Sequence, residues 1–249
     1  MLPIRALLET GRVAVSAHKG GREEAPSATW QAYKAAVTTG AEYVEFDIRR
    51  TRDGEFVVYH DVRVHHDGPL LAKTSYDDLC AAAGRVVPRV RDVMELIAGR
   101  AIGHLDLKEV GDEHAIIAMA LEILGPENFV ATTLEDVSIV RIKRAFPQVL
   151  TALSLGRSMH ETIWFTRMPT RVREIYPLRR LRACGADWVA VNYKLARLGV
   201  LRQCARSGIP AMVWTVNNPP LLTQFLADPR VDVLITDYPR RALTIRGSP

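Results

Sequence analysis

The stretch EYVEFDIRRTRDGEFVVYHD, residues 42–61, decides how the rest of the chain is read. Its first seven residues favour a strand, being rich in aromatic and β-branched types. Glu45 and Asp47 lie two residues apart in it. On a strand that spacing puts both carboxylates on one face, with Val44, Phe46 and Ile48 on the other. Burying an unpaired carboxylate is costly, so such a face calls for a partner of opposite charge. Asp53-Gly54 is a hairpin signal. With those two residues as the loop, Arg52 faces Glu55 and Asp47 faces His60, and the hairpin returns a histidine to the carboxylates.

Seven more β-rich runs flank this one: RVAVSAH (12–18), AIGHLDL (101–107), NFVATTL (128–134), VLTALSL (149–155), DWVAVNY (187–193), IPAMVWTV (209–216) and VDVLITD (231–237). Between most of them lie segments with apolar residues at helical spacing, such as WQAYKAAVTTG, with Gly40 as its expected C-cap. Alternating strands and helices imply a parallel sheet. A doubly wound sheet competes, but no glycine-rich dinucleotide fingerprint follows the first strand. Eight units in 249 residues match a (β/α)8 barrel. The expectation is therefore an α/β chain forming a single TIM-barrel domain over 1–249. A short polar insertion after the second strand, at about 61–89, should sit over one barrel mouth.

Catalytic groups of such barrels lie at the C-terminal strand ends. Read in order, those ends carry His18, then Glu45 and Asp47, then Asp106 and Lys108. Three carboxylates on neighbouring strands repel one another, and a hard divalent cation, Mg²⁺ or Ca²⁺, removes that repulsion. Asp106 also has a structural reading, as a partner of His104 and Lys108. Trp214, at the end of the seventh strand, reads as a pocket wall or a core residue.

Composition bounds the rest. Apolar residues make up 48% and charged residues 24%, ordinary values for a globular chain. Cys80, Cys184 and Cys204 are scattered and odd in number, which argues against a disulfide framework or zinc ribbon and fits a reducing compartment. No secretory signal or membrane-length apolar run is visible, so a cytoplasmic location is expected. The net charge of +5 suits a phosphorylated small molecule, a membrane surface or nucleic acid. No nucleic-acid-binding signature is present, so no nucleic-acid partner is expected. The arginines at 171, 173, 179, 180 and 182 read as a solvated helix face. The long connection GRSMHETIWFTRMPTR (156–171) mixes apolar and basic residues, and a peripheral membrane contact through 159–168 is one expectation. The oligomeric state stays open.

Several short motifs recur in a set order: His18-Lys19-Gly20, Pro26-Ser27-Ala28-Thr29, Glu45-Phe46-Asp47, His60-Asp61, Asp106-Leu107-Lys108, Trp214-Thr215-Val216-Asn217 and Thr236-Asp237-Tyr238-Pro239. From residue 12 to about 240 this order resembles the glycerophosphodiester phosphodiesterase family. The resemblance implies a divalent metal held by Glu45, Asp47 and Asp106. It further implies His18 and His60 as the acid–base pair, Lys108 and Lys19 at the substrate phosphate, and a phosphodiester or lysophospholipid substrate. Four departures stand out. Lys19 replaces an arginine and cannot offer a planar fork. Asp106 replaces a glutamate, as in sphingomyelinase-D-type toxins, which keeps a lysophospholipase D or cyclising reading alongside simple hydrolysis. Ser27 and Ala28 replace Glu and Asn, with Ser27 still able to cap the next helix. The insertion after His60 is short. A barrel that only binds phosphorylated ligands is the remaining rival. Asp237 reads as a turn cap before Pro239, Glu109 as structural, and His65 and His66 as surface residues.

Overall fold

The computed structural model describes residues 3–156 and 174–247. Its strands are β1 (Ala14–Ala17), β2 (Tyr43–Arg50), β3 (Phe56–Val58), β4 (Ile102–Leu107), β5 (Phe129–Thr133), β6 (Leu150–Leu155), β7 (Trp188–Asn192), β8 (Ala211–Trp214) and β9 (Val233–Thr236). All except β3 run parallel, each beside its neighbour, and β1 pairs with both β9 and β2. The sheet thus closes into an eight-stranded (β/α)8 barrel, and every β-rich run of the sequence overlaps one of its strands. Among the described residues no helix is long and apolar enough to cross a membrane. The expected membrane contact at 159–168 lies outside the described residues.

The alternation along β2 sets the layers. Val44, Phe46 and Ile48 join the large apolar layer between sheet and helices. Tyr43, on the opposite face, packs inside the barrel with Ala14, Ile102, Val130, Trp188, Met212 and Val233. The short helix Ile4–Glu9 closes that end, with Ile4 buried and Leu7 and Leu8 packed behind it. The inner face is therefore apolar at the N-terminal ends of the strands, and the next inward residues on β2 are Glu45 and Asp47. The inward carboxylates of β2 are thus left to the C-terminal mouth.

The hairpin differs from the expected register. Ile48 pairs with Val58 and Arg50 with Phe56, so Asp47 faces Tyr59, whose N–H donates to the Asp47 carbonyl at 3.1 Å. The loop holds three residues, 52–54, closed by Thr51 N to Glu55 O at 2.9 Å. Gly54 takes φ 95, the left-handed conformation that ends a three-residue loop. Asp-Gly serves both loop lengths. The longer one is held here by the insertion: Arg52 N donates to Thr74 O, and Asp53 accepts from Tyr76 N. Nor is the insertion simply polar. Val64, Leu71, Tyr76, Leu79 and Val87 bury with Val57 in a small core of their own.

Between β1 and the helix Trp30–Thr39 the chain doubles back. Thr29, not Ser27, caps that helix, accepting from Ala32 N, and Gly40 ends it with φ 84. Lys19 (φ 51) and Ala28 (φ 57) both occupy the left-handed region, and Ala28 N donates to Lys19 O at 2.8 Å. That region costs an L-residue roughly 1–2 kcal/mol. Ala28→Gly should remove this strain and raise stability by up to about 1 kcal/mol, once the greater freedom of unfolded glycine is set against it. Urea denaturation measures the change; a less stable variant would contradict the strained turn.

Candidate active site

The β2–β4 register pairs Glu45 with His104 and Asp47 with Asp106. Because paired residues of adjacent strands share a face, Glu45, Asp47 and Asp106 converge inside the mouth. One carboxylate oxygen from each lies within 4.8 Å of the others. Glu45 and Asp47 are buried. Glu45 accepts from Lys19 N at 2.6 Å, a contact that depends on the left-handed turn at Lys19. The turn is pressed against the following helix: a Cβ on Gly20 would meet the Ala32 backbone and the Tyr33 ring at 3.0 Å.

The cations come from just beyond the ends of β4 and β1. Lys108 Nζ donates to Asp106 Oδ2 and lies 2.7 Å from Asp47 Oδ1. Lys19 Nζ stands 3.6 Å from Asp47 Oδ2. Thr132 Oγ1 donates to Asp106 Oδ1 at 3.0 Å. Neither oxygen of Asp47 receives a hydrogen bond of good geometry; the lysines meet it chiefly as nearby charges. Two buried, unbonded carboxylate oxygens facing two more carboxylates suit an oxygen-seeking divalent cation.

The charges split the two β2 carboxylates. Burial, then the Asp47 charge, raises the Glu45 carboxyl to about 7. Burial also disfavours the Asp47 carboxylate, yet Lys108, Lys19 and His60 together bring it down to about 2. Burial works against the Lys108 ammonium, but Asp106, Asp47 and Glu45 outweigh it and raise its pKa. His104 is driven down to about 4 by burial and sits neutral between Ser16 Oγ and Thr132 Oγ1, each 3.2 Å away.

His18 and His60 both line a cavity of about 450 Å³ that also takes in Glu45, Asp106, Lys108 and Trp214. His18 Nδ1 donates to Asp237 Oδ1 at 2.7 Å, and Asn217 Nδ2 donates to Asp237 Oδ2 at 2.7 Å. Burial alone would lower the His18 pKa; the Glu45 charge and the Asp237 hydrogen bond raise it overall. His60 Nδ1 donates to Asp61 Oδ1, also at 2.7 Å, in a far more exposed setting. Trp214 Nε1 donates to Ala190 O at 3.1 Å, which fixes the indole against the wall.

A family model described as the glycerophosphoryl diester phosphodiesterase family matches residues 18–241. The chain belongs to that family. Its members hydrolyse phosphodiester bonds, and the chain is accordingly a phosphodiester hydrolase acting on glycerophosphodiesters. The family generally uses a divalent metal, and the acidic trio here is a group able to hold one. A glycerophosphodiester phosphodiesterase of Caldanaerobacter subterraneus subsp. tengcongensis is 22% identical over 253 residues, covering 94% of this chain and 98% of the relative. The crystal structure of a glycerophosphodiester phosphodiesterase from Parabacteroides distasonis superposes with TM-score 0.76 at 20% identity, covering 94% and 97% of the two chains. An Oleispira antarctica phosphodiesterase in complex with the product sn-glycerol-3-phosphate gives 0.71 at 19% identity, covering 95% and 98%.

Glu45, Asp47, Asp106, Lys108, His18 and His60 thus meet at one mouth, and Trp214 joins them. Lys19 stands beside them, its Nζ 3.6 Å from Asp47 Oδ2. His65 and His66 are exposed. Asp237 serves His18, not a turn before Pro239. That pairing joins residues 219 apart in sequence, and only the Thr-Asp-Tyr-Pro motif hinted at it. Arg49, third in the inward row after Glu45 and Asp47, was there to be read from the same two-residue spacing.

The raised Glu45 carboxyl has a measurable consequence without metal. Its folded pKa of about 7 lies above the ordinary 4.5, so the stability it contributes is present below about pH 4.5 and is lost as pH rises through 7. In EDTA, Glu45→Gln should melt higher than the wild type at pH 8, and the gap should narrow towards pH 5. A gap that widens on acidification would contradict this charge arrangement.

Proposed function

We propose that this mouth hydrolyses a glycerophosphodiester to a phosphomonoester and an alcohol, with a divalent cation at Glu45, Asp47 and Asp106 and with His18 and His60 as the acid–base pair. The observation carrying the proposal is that both histidines border the cavity lined by Glu45 and Asp106 and both commit Nδ1 to a carboxylate. Each imidazole is then fixed in the tautomer that leaves Nε2 for proton exchange. The ion, when bound, would neutralise charge on the phosphoryl oxygens.

The protein's own groups account for the rest. As a water oxygen bonds to phosphorus, one histidine takes its proton. The bond from phosphorus to the alcohol oxygen breaks, and the other histidine protonates that oxygen. Asp237 and Asp61 hold the rings and stabilise their charged forms. With a cation drawing on Asp47 and Asp106, Lys108 can turn its ammonium to the substrate phosphate; Lys19 keeps Asp47 ionised and supports Glu45 through its N–H. Trp214 forms part of the cavity wall. Retention of sn-glycerol-3-phosphate as the phosphorylated product is supported by its presence in the Oleispira relative. Residues 1–249 act in this reading as one catalytic domain.

The deciding assay combines glycerophosphocholine, glycerophosphoethanolamine and lysophosphatidylcholine with Mg²⁺, Ca²⁺ and Mn²⁺ in turn. Turnover should cease after exhaustive EDTA dialysis and return with a divalent ion; full activity in the chelated protein would refute the metal role. His18→Ala and His60→Ala should each lower kcat by roughly 10²-fold or more. His65→Ala should not, and an equal loss there would remove His60 from its role.

A further inference from the structure

The β3 ladder stops at Val58, and the last main-chain bond from the returning strand to β2 is Tyr59 N to Asp47 O. His60 lies one residue beyond, with about half of its side chain exposed and, among the described residues, its ring tied only to the more exposed Asp61. The placement of so precise a group needs another anchor. Arg49 supplies one: its Nε donates to the His60 carbonyl at 2.9 Å. The same guanidinium donates from Nη1 to Glu109 Oε1 at 2.7 Å. Glu109 follows Lys108 directly, and the Arg49 side chain is only 10% exposed.

We infer that Arg49, braced by Glu109, is a positioning residue that holds His60 in register with the carboxylates and Lys108. This rests on the acid–base role proposed for His60. The hairpin brings His60 near but does not fix it, and the guanidinium joins three pieces: β2, the segment after β4 and the His60 turn. Two donors at fixed separation must reach a carbonyl and a carboxylate at once. Arginine's planar fork does this, and a lysine ammonium on a flexible stem cannot hold both in one geometry. A displacement of about 1 Å at a reacting group can cost roughly 10²-fold in rate. Arg49 also borders the cavity, so direct substrate binding is the alternative that the test must separate.

The test uses the full chain with its metal and glycerophosphocholine. Arg49→Met and Arg49→Lys should each lower kcat at least about tenfold and leave KM within about threefold, with secondary structure and melting close to wild type. Glu109→Gln, which keeps a neutral acceptor, should cost less than either. In a His60→Ala background, Arg49→Met should cost nothing further, since its effect passes through His60. Unchanged kcat in Arg49→Met would overturn the inference. So would a raised KM at constant kcat, which would make Arg49 a substrate contact, or a full additional loss in the His60→Ala background. Full activity of His60→Ala alone would instead overturn the reading of His60 itself.

Discussion

The pairing of Asp47 with Asp106 across β2 and β4 is the constraint on which the site depends. A parallel barrel leaves little freedom in this register, because a one-residue slip would turn Val44, Phe46 and Ile48 into the interior and the carboxylates out among the helices. The apolar layer outside the sheet therefore enforces the acidic layer inside it. The inner apolar plug, from Ile4 to Met212, fills the other end of the barrel and confines the polar residues to the mouth. The core does not merely carry the site; its alternation along the strands determines which carboxylates meet.

Their meeting is unfavourable without a counter-charge, and the sequence supplies two lysines at strand ends for it. Lys108 bridges Asp47 and Asp106, and Lys19 approaches Asp47 from a turn held in the left-handed region. Strain of that kind persists where the surroundings over-determine it, commonly at functional sites. Here the glycine beside Lys19 lets the turn lie against the helix Trp30–Thr39, and the reward is a main-chain N–H aimed at Glu45. The two lysines leave Asp47 without a well-formed hydrogen bond, so the charge is balanced while the coordination is not.

Much of this was legible in the sequence. Apolar, β-branched runs separated by helical patterns marked all eight barrel strands, and the i, i+2 spacing of Glu45 with Asp47 and of Asp106 with Lys108 put the right side chains inside. The hairpin register was not legible, since Asp53-Gly54 suits a two- or a three-residue loop and the choice fell to contacts with Thr74 and Tyr76. The insertion core was hidden because only Tyr76 and Leu79, three apart on the helix Tyr76–Ala83, share a regular period, while Val64 and Leu71 come from turns before it. Long-range partners such as Asp237 for His18 cannot be seen from local pattern at all. They depend on β9 closing the barrel against β1.

The cation proposed for this mouth would bind Glu45, Asp47 and Asp106 together, a site that Lys108 alone does not complete. The most direct measurement is anomalous diffraction from crystals soaked in Mn²⁺. The account predicts one strong peak within bonding distance of a carboxylate oxygen from each of the three residues. A cation bound elsewhere, with Lys108 still seated between Asp47 and Asp106, would contradict it.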